Sequence, residues 1–249
     1  MEALKISKEK GCHQFNIFSG FPVVAAFSDR TFDMCFQEDF SSPNRDREIF
    51  CDLLKLPGSD LVCPEQIHSA NIILITDESK GKGAVSKENA IAKSDGMITK
   101  ERRIPLGVQT ADCASIFLYD PQKNAAGIAH VGWRGLYAGM PGKMVLALSN
   151  NFLCHPNNLH VALGPMIRQC CYEVGQDVAS LFQPFISSTG GKTYLDLADA
   201  IVTSLQKMGV KKSHIEDIGF CTSCHNELFY SYRREGTQTG RMLSLLMLT

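Results

Sequence analysis

LGVQTADCASIFLYDPQKNAAGIAHVGWRG, residues 106–135, holds three short apolar runs separated by turn residues. Leu106–Gln109, Ser115–Tyr119 and Ala125–His130 are rich in Val, Ile, Phe and Ala, and they read as consecutive strands. Working upstream, Ile72–Thr76 and Gly96–Thr99 are two more such runs, on either side of the polar stretch DESKGKGAVSKENAIAKS (77–94), which reads as a surface loop. A helix is predicted from Arg45 to Leu56, with Ile49, Phe50, Leu53 and Leu54 on one face and Pro57-Gly58 stopping it. Residues 28–45 are polar and irregular, and FNIFSGFPVVAAF (15–27), broken by Gly20 and Pro22, reads as two short strands of a hairpin.

Downstream, Gly135–Asn150 and Glu173–Phe182 read as helices and Leu159–Leu163 as a strand. The clearest helix runs from Asp196 to Met208: Asp196 caps it, Leu197, Ile201, Leu205 and Met208 share a stripe, and Gly209 closes it. Ile215–Phe220, Phe229–Tyr232 and Met242–Leu248 complete the chain as strands. Nothing repeats and no linker interrupts the pattern. The expectation is a single mixed α/β or α+β domain over residues 1–249.

Composition narrows the function. The 25 basic and 26 acidic residues nearly cancel, which gives no electrostatic basis for a nucleic-acid or membrane surface. No apolar run approaches the roughly 18 residues of a membrane span. The ten cysteines invite a disulfide reading, but the N-terminal MEALKISKEKGCHQF has no apolar core of a signal peptide. The expectation is therefore a cytoplasmic protein whose cysteines are thiols, catalytic groups or metal ligands.

Three places set polar residues where an apolar strand ends: Gln66-Ile67-His68-Ser69, Thr110-Ala111-Asp112-Cys113, and His130-Val131-Gly132-Trp133-Arg134-Gly135. His68, Cys113 and His130 together form a transition-metal ligand set. Thiolate and imidazole suit zinc, and three protein ligands leave a fourth position for water or substrate. A single His or Cys near a strand is more often packing or a satisfied hydrogen bond. The separations of 45 and 17 residues match no local metal pattern, so spacing by itself does not show zinc.

Several longer matches are more specific. GVQTADCASIFLYDP, AGIAHVGWRGLYAGM, ALGPMIRQCCYEVG and the TGRM near the C-terminus, together with QIHSANI, LDLADAI and Cys221-Thr222, resemble the laccase-domain family, also called multicopper polyphenol oxidases or peptidoglycan-editing factors. The match runs from about Asn44 to the end. Before that, FSDRTFDMCFQEDFSSPNRDR keeps Phe27, Ser28 and Arg30 of the family's loop but lacks its glycines, and Met166 stands where a Cys is commoner. The resemblance implies a layered α/β/β/α sandwich with mixed sheets. It further implies zinc on His68, Cys113 and His130, with phosphorolysis of purine nucleosides (adenosine, inosine, guanosine, methylthioadenosine) and deamination of adenosine. The older family label implies copper.

On that reading the partners are a nucleoside and phosphate, with no nucleic acid or membrane. Asp112, beside Cys113, is a candidate proton shuttle or a partner of the ligands, or equally a strand-end cap. Arg134 is the first choice to hold phosphate, followed by Arg45 and Arg47, with Arg30 also a candidate. Other readings use the same residues. Cys113 and His130 could act without metal as the nucleophile and base of a cysteine hydrolase, a deamidase or a peptidoglycan-precursor editing hydrolase. A copper polyphenol oxidase needs several His-rich centres, and of the seven His four (His13, His155, His160, His214) lie outside the matched motifs. Cys221-Thr222-Ser223-Cys224-His225 spells the c-type haem attachment pattern, or half of a structural zinc site. Haem attachment of this kind goes with export, so Cys224 reads as incidental and Cys170-Cys171 as buried packing.

Overall fold

The computed structural model describes residues 11–35 and 45–249. In chain order the first elements are β1 (Cys12–Gln14), β2 (Val23–Ser28), α1 (Arg45–Leu53), β3 (Ile72–Leu74), β4 (Gly96–Thr99), β5 (Leu106–Thr110), β6 (Ala114–Asp120) and β7 (Ala125–Val131). Next come α2 (Trp133–Tyr137), α3 (Met140–Phe152), β8 (His160–Leu163), α4 (Gln176–Ala179), β9 (Ile186–Thr189) and β10 (Lys192–Leu195). The last are α5 (Leu197–Lys207), β11 (Ile215–Asp217), α6 (Tyr232–Glu235) and β12 (Met242–Leu248).

Two sheets carry the architecture. A six-stranded sheet has the order β11-β8-β6-β7-β4-β3, and a four-stranded antiparallel sheet has the order β1-β2-β12-β5. The larger sheet is mixed: β11 and β3 pair parallel to β8 and β4, and the other neighbours are antiparallel. Side-chain alternation in β6 shows how the layers stack. Ile116 and Leu118 pack with Met144 and Leu148 of α3 and Ile201 and Leu205 of α5. Phe117 and Tyr119, on the opposite face, pack with Phe27 of β2, Val108 of β5 and Leu246 of β12. The outer face of the smaller sheet, through Ala26, Leu243 and Leu245, meets Phe50 and Cys51 of α1. The layers are thus α/β/β/α, as the resemblance implied. Every residue of β6, β7 and β12 is buried, which is why these strands are continuous apolar runs in the sequence. Truncating Phe117 to Ala between the sheets should cost about 3–5 kcal/mol.

Several expected elements differ in extent. The hairpin exists, but its first strand is Cys12–Gln14, paired with β2 from Cys12↔Ser28, and Asn16–Phe18 form a 3₁₀ turn. The helix predicted over 135–150 is two helices, parted where Gly139 takes φ 84°. Of the helix predicted at 173–182, Gln176–Ala179 is helical, and a β9–β10 hairpin that the sequence reading missed follows it. Phe229–Tyr232 is no strand: Phe229 is a core side chain, and Ser231 caps α6 by accepting from the Arg234 N–H. Part of the irregular 28–45 stretch, residues 36–44, and the N-terminal MEALKISKEK lie outside the described residues. Among the described residues no helix is long and apolar enough to cross a membrane.

Candidate metal centre

Strand direction explains how residues so far apart in sequence meet. β3 and β4 are parallel, while β4 and β6 both run antiparallel to β7. β3, β4 and β6 therefore begin at the sheet edge where β7 ends. His68 precedes β3, Asp95 immediately precedes β4, Cys113 immediately precedes β6, and His130 is the penultimate residue of β7. One ligand atom from each of His68, Cys113 and His130 lies within 4.8 Å of the others. The two imidazole rings sit edge to face, 4.8 Å between centroids.

Asp95 organises this edge. It is fully buried, and its carboxylate accepts from the backbone N–H groups of Ile67, His68 and Ser69 at 3.3, 3.0 and 2.6 Å, and from Ser69 Oγ at 2.7 Å. It also lies 2.9 Å from His130 Nδ1. One side chain thus fixes the loop that carries His68, which holds φ 60°, and the ring of His130. The Nδ1 contact leaves His130 Nε2 as the nitrogen that could hold a metal, as in carboxylate–histidine–metal sites. Burial pushes the Asp95 carboxyl up, but hydrogen bonds from His130 and Ser69 outweigh it and hold the group below its ordinary value. A second clasp supports the same loop: Gln66 Nε2 donates to Gln109 O and Gln109 N donates to Gln66 Oε1, both at 2.8 Å.

Burial likewise pushes the Cys113 thiol up, yet the charge and hydrogen bonds of His130, then of His68, bring it down to about 6. His130, lowered by burial, is raised by Cys113 and Asp95 to about 9. Without a metal, Cys113 is drawn toward thiolate, the ligating form, and His130 toward imidazolium; a metal on Nε2 would take the place of that nitrogen's proton. Gly132 makes room for the set: a Cβ there would sit 2.8 Å from Cys113 Sγ and 3.3 Å from His68 Cδ2.

His68, Cys113 and His130 open onto a cavity of about 750 Å³, a volume suited to a small organic ligand. Arg134, at the start of α2, lines it, with its guanidinium 4.4 Å from the Trp133 ring centroid. The other arginines proposed from sequence do not line it. Arg47 is buried and donates to the carbonyls of Met34, Gly83 and Ala84, so its charge serves the packing of α1. Arg30 bonds Asn226 O and Glu235 and lies over the Tyr230 ring. Arg45 is exposed at the start of α1, away from the lining.

Sequence reasoning missed Lys87, Arg233 and Arg241, which do line the cavity, and also Tyr172 and Asp95. Asp95 had a faint signal, an Asp-Gly step directly before a strand, whereas Arg233 directly follows Phe229–Tyr232, the stretch misread as a strand. Asp112 faces the cavity with both carboxylate oxygens engaged: Oδ1 accepts from Thr222 Oγ1 and Oδ2 from Arg233 N, each at 2.6 Å. Its backbone holds φ 89°, so Asp112 braces the turn that presents Cys113.

Comparison with known proteins identifies relatives of the whole fold. Residues 27–249 match the profile of the family described as multi-copper polyphenol oxidoreductase laccase, which reaches upstream of Asn44. The chain is 34% identical over 218 residues to "Purine nucleoside phosphorylase YlmD" of Geobacillus stearothermophilus, covering 84% of this chain and 80% of that one. It is 31% identical over 191 residues to "Adenosine deaminase RL5" of an unknown prokaryotic organism, covering 73% and 72%. The crystal structure of the Bacillus licheniformis hypothetical protein YfiH superposes with a TM-score of 0.90 at 26% identity, over 97% of this chain and 98% of that one.

Proposed function

The chain belongs to the multi-copper polyphenol oxidoreductase laccase family, and from that premise we propose that it is a zinc-dependent purine nucleoside phosphorylase that also deaminates adenosine, acting as a single catalytic domain. The names of the phosphorylase and deaminase relatives support the chemistry. The observation that carries the reading is the joining of His68, Cys113 and His130 to a cavity lined by Lys87, Arg134, Arg233 and Arg241. One thiolate and two imidazoles facing a cavity suit catalytic zinc. Against multicopper chemistry, the other cysteine or histidine cluster among the described residues contains cysteines alone. When bound, zinc supplies Lewis acidity, which at such sites brings the pKa of water toward about 7.

The chain's own residues do the rest. In phosphorolysis a phosphate oxygen bonds to C1′ of the ribose as the C1′–N9 bond breaks and the purine leaves. Arg134, with Arg233, Arg241 and Lys87 around the cavity, holds the phosphate charge. Trp133 and Tyr172 line the cavity and offer aromatic faces to a purine. In deamination a water adds at C6 and ammonia leaves, with no role for phosphate. Asp112, held by Thr222 and Arg233, positions Cys113 and the arginine rather than shuttling protons. Adenosine, inosine, guanosine and methylthioadenosine are the substrates to screen.

Nucleoside turnover with and without phosphate, followed by chromatography of the products, tests the reading. Arg134→Ala should raise the KM for phosphate roughly ten- to hundredfold, the loss of one charge-assisted contact of about 1.5–3 kcal/mol, with deamination much less affected. Absence of any phosphate-dependent cleavage would sink the phosphorylase assignment. The thiolate–imidazolium character of Cys113 and His130 favours, as a second reading, a metal-free cysteine hydrolase, and full activity in metal-stripped protein would establish it.

A further inference from the structure

A second cluster of metal-ligating side chains lies outside that centre. Cys170, Cys171, Cys221 and Cys224 place their four Sγ atoms within 4.8 Å of one another. The Cys224 thiol is 3.5 Å from that of Cys170 and 3.4 Å from that of Cys171. In a tetrahedral zinc site with four Zn–S bonds of about 2.3 Å, neighbouring sulfurs lie about 3.8 Å apart. Small movements would bring the four thiols onto such a tetrahedron.

The fold builds this corner. β8 and β11 pair parallel, Ile215 opposite Val161, so the loops that follow them leave from one edge. The pairing continues past the strands, since Thr222 N donates to Met166 O at 3.1 Å and Met166 N to Phe220 O at 3.4 Å. Arg168 adds a fork onto Asp217, with Nη1 2.6 Å from Oδ2. These contacts fix Cys170-Cys171 on one loop against the Cys221-x-x-Cys224 turn on the other, the second being an ordinary metal-ligand spacing. Cys221 Sγ accepts from the backbone N–H of Arg168 at 3.5 Å, which ties the two loops together at the cluster itself. Cys170 and Cys224 are exposed and Cys171 half-buried, so an ion reaches the cluster from solvent. Cys170-Cys171 is therefore not buried packing, and Cys224 stands against it at the surface.

We propose that Cys170, Cys171, Cys221 and Cys224 form a second, structural zinc site, separate from the His68–Cys113–His130 centre. Binding converts four thiols to thiolates and releases their protons, with no change of oxidation state. The site staples two loops that also shape the active cavity: Tyr172 follows Cys171 and lines the cavity, and Thr222 follows Cys221 and bonds Asp112. Four closed protein ligands leave no open position, so the ion's role is to hold these loops rather than to react.

Metal analysis of the full chain purified with zinc, alongside Cys113→Ala and the double variant Cys170→Ser/Cys224→Ser, tests this. Wild type should hold about two zinc ions and each variant about one. Cobalt reconstitution adds a readout independent of activity: Cys113→Ala should show the intense sulfur-to-cobalt absorption of a four-thiolate site, and the double variant only the weaker band of the single Cys113 thiolate. One zinc that survives Cys113→Ala and is lost in the double variant would keep this proposal and overturn the zinc reading of the active site. A Cys113→Ala protein that binds neither zinc nor cobalt would overturn the proposal. So would a disulfide among the four cysteines in the natively purified chain, read by non-reducing mass analysis.

Discussion

Asp29 and His13 meet at 2.9 Å beside the first β-hairpin, and Asp95 and His130 meet at the same 2.9 Å beneath the candidate metal centre. Both pairs are buried, with His13 8% and His130 4% exposed, so burial does not tell them apart. What stands beyond each imidazole does. His13 is bound through Nε2 and stacks on Phe27, with centroids 5.1 Å apart and planes 14° apart, near Phe229. His130 is bound through Nδ1, and its other nitrogen faces Cys113 and His68 at the mouth of a cavity. An Asp–His pair is thus a way of fixing a ring, and it becomes part of a metal centre when further ligands and open space converge on the ring's other nitrogen.

Removing each ring is the sharpest way to break the comparison. His130→Ala should empty the active-site metal position and lower nucleoside turnover by more than about a hundredfold, because even residues that merely orient a ligand are worth 10–100-fold. His13→Ala should keep its metal and its turnover and lose stability, by about 1–3 kcal/mol for the buried Asp29 oxygen that loses its His13 partner. Elemental analysis and steady-state rates measure the first pair of outcomes, and urea denaturation the second. Full metal at the active site of His130→Ala, measured in the Cys170→Ser/Cys224→Ser background, would end the assignment of His130 as a ligand.

The same contrast marks what the sequence made legible. The strands around residues 106–131 were readable because both their faces are covered, which makes each an unbroken apolar run, and the polar residues at their ends pointed to Cys113 and His130. Asp95 was not readable. Its role depends on three backbone N–H groups some 26 to 28 residues upstream, and no local pattern records such a nest. Most of the cavity's basic lining was hidden for a similar reason. Arg134 stands next to the HVGW turn, whereas Arg233 arrives through α6, a single turn of helix whose aromatic neighbours imitate a strand. The cysteine corner shows the opposite error. The C-x-x-C spacing was visible, but its partners lie on a loop more than 45 residues away, and their convergence follows from the parallel β8–β11 pairing, which the sequence does not display.

Replacing each carboxylate with an amide makes a finer cut. Asp95→Asn keeps the shape of the side chain but puts a donor where five groups now compete to donate. Metal affinity at the His68–Cys113–His130 centre should fall about 10–100-fold, read by competition with a chromophoric chelator. Asp29→Asn should leave that affinity where it is. Equal affinities in the two variants would show that Asp95 supports the fold alone and does not tune the ligand.

The smallest effect separates the two pairs by pH. Burial pushes the Asp29 carboxyl up, but hydrogen bonds from His13 and Thr31 outweigh it and hold the group below its ordinary value. A carboxyl lowered in the folded state adds stability that is fully present above the unfolded value of about 3.9 and is lost as pH falls through the lower folded value. Wild type should therefore be more stable than Asp29→Asn by about 1.5–3 kcal/mol near neutral pH, the worth of hydrogen bonds to a charged group. The gap should close toward pH 2, where both side chains are neutral. Asp95 is lowered in the same direction, but acid also protonates the Cys113 thiolate and so would release a bound metal. Loss of stability at the metal centre should therefore begin at higher pH and depend on zinc concentration, whereas that at Asp29 should not. Urea midpoints between pH 7 and 2.5, at two zinc concentrations, measure both behaviours. A gap for Asp29→Asn that stays constant or widens as pH falls would mean that the His13–Asp29 pair does not stabilise the fold through its charge.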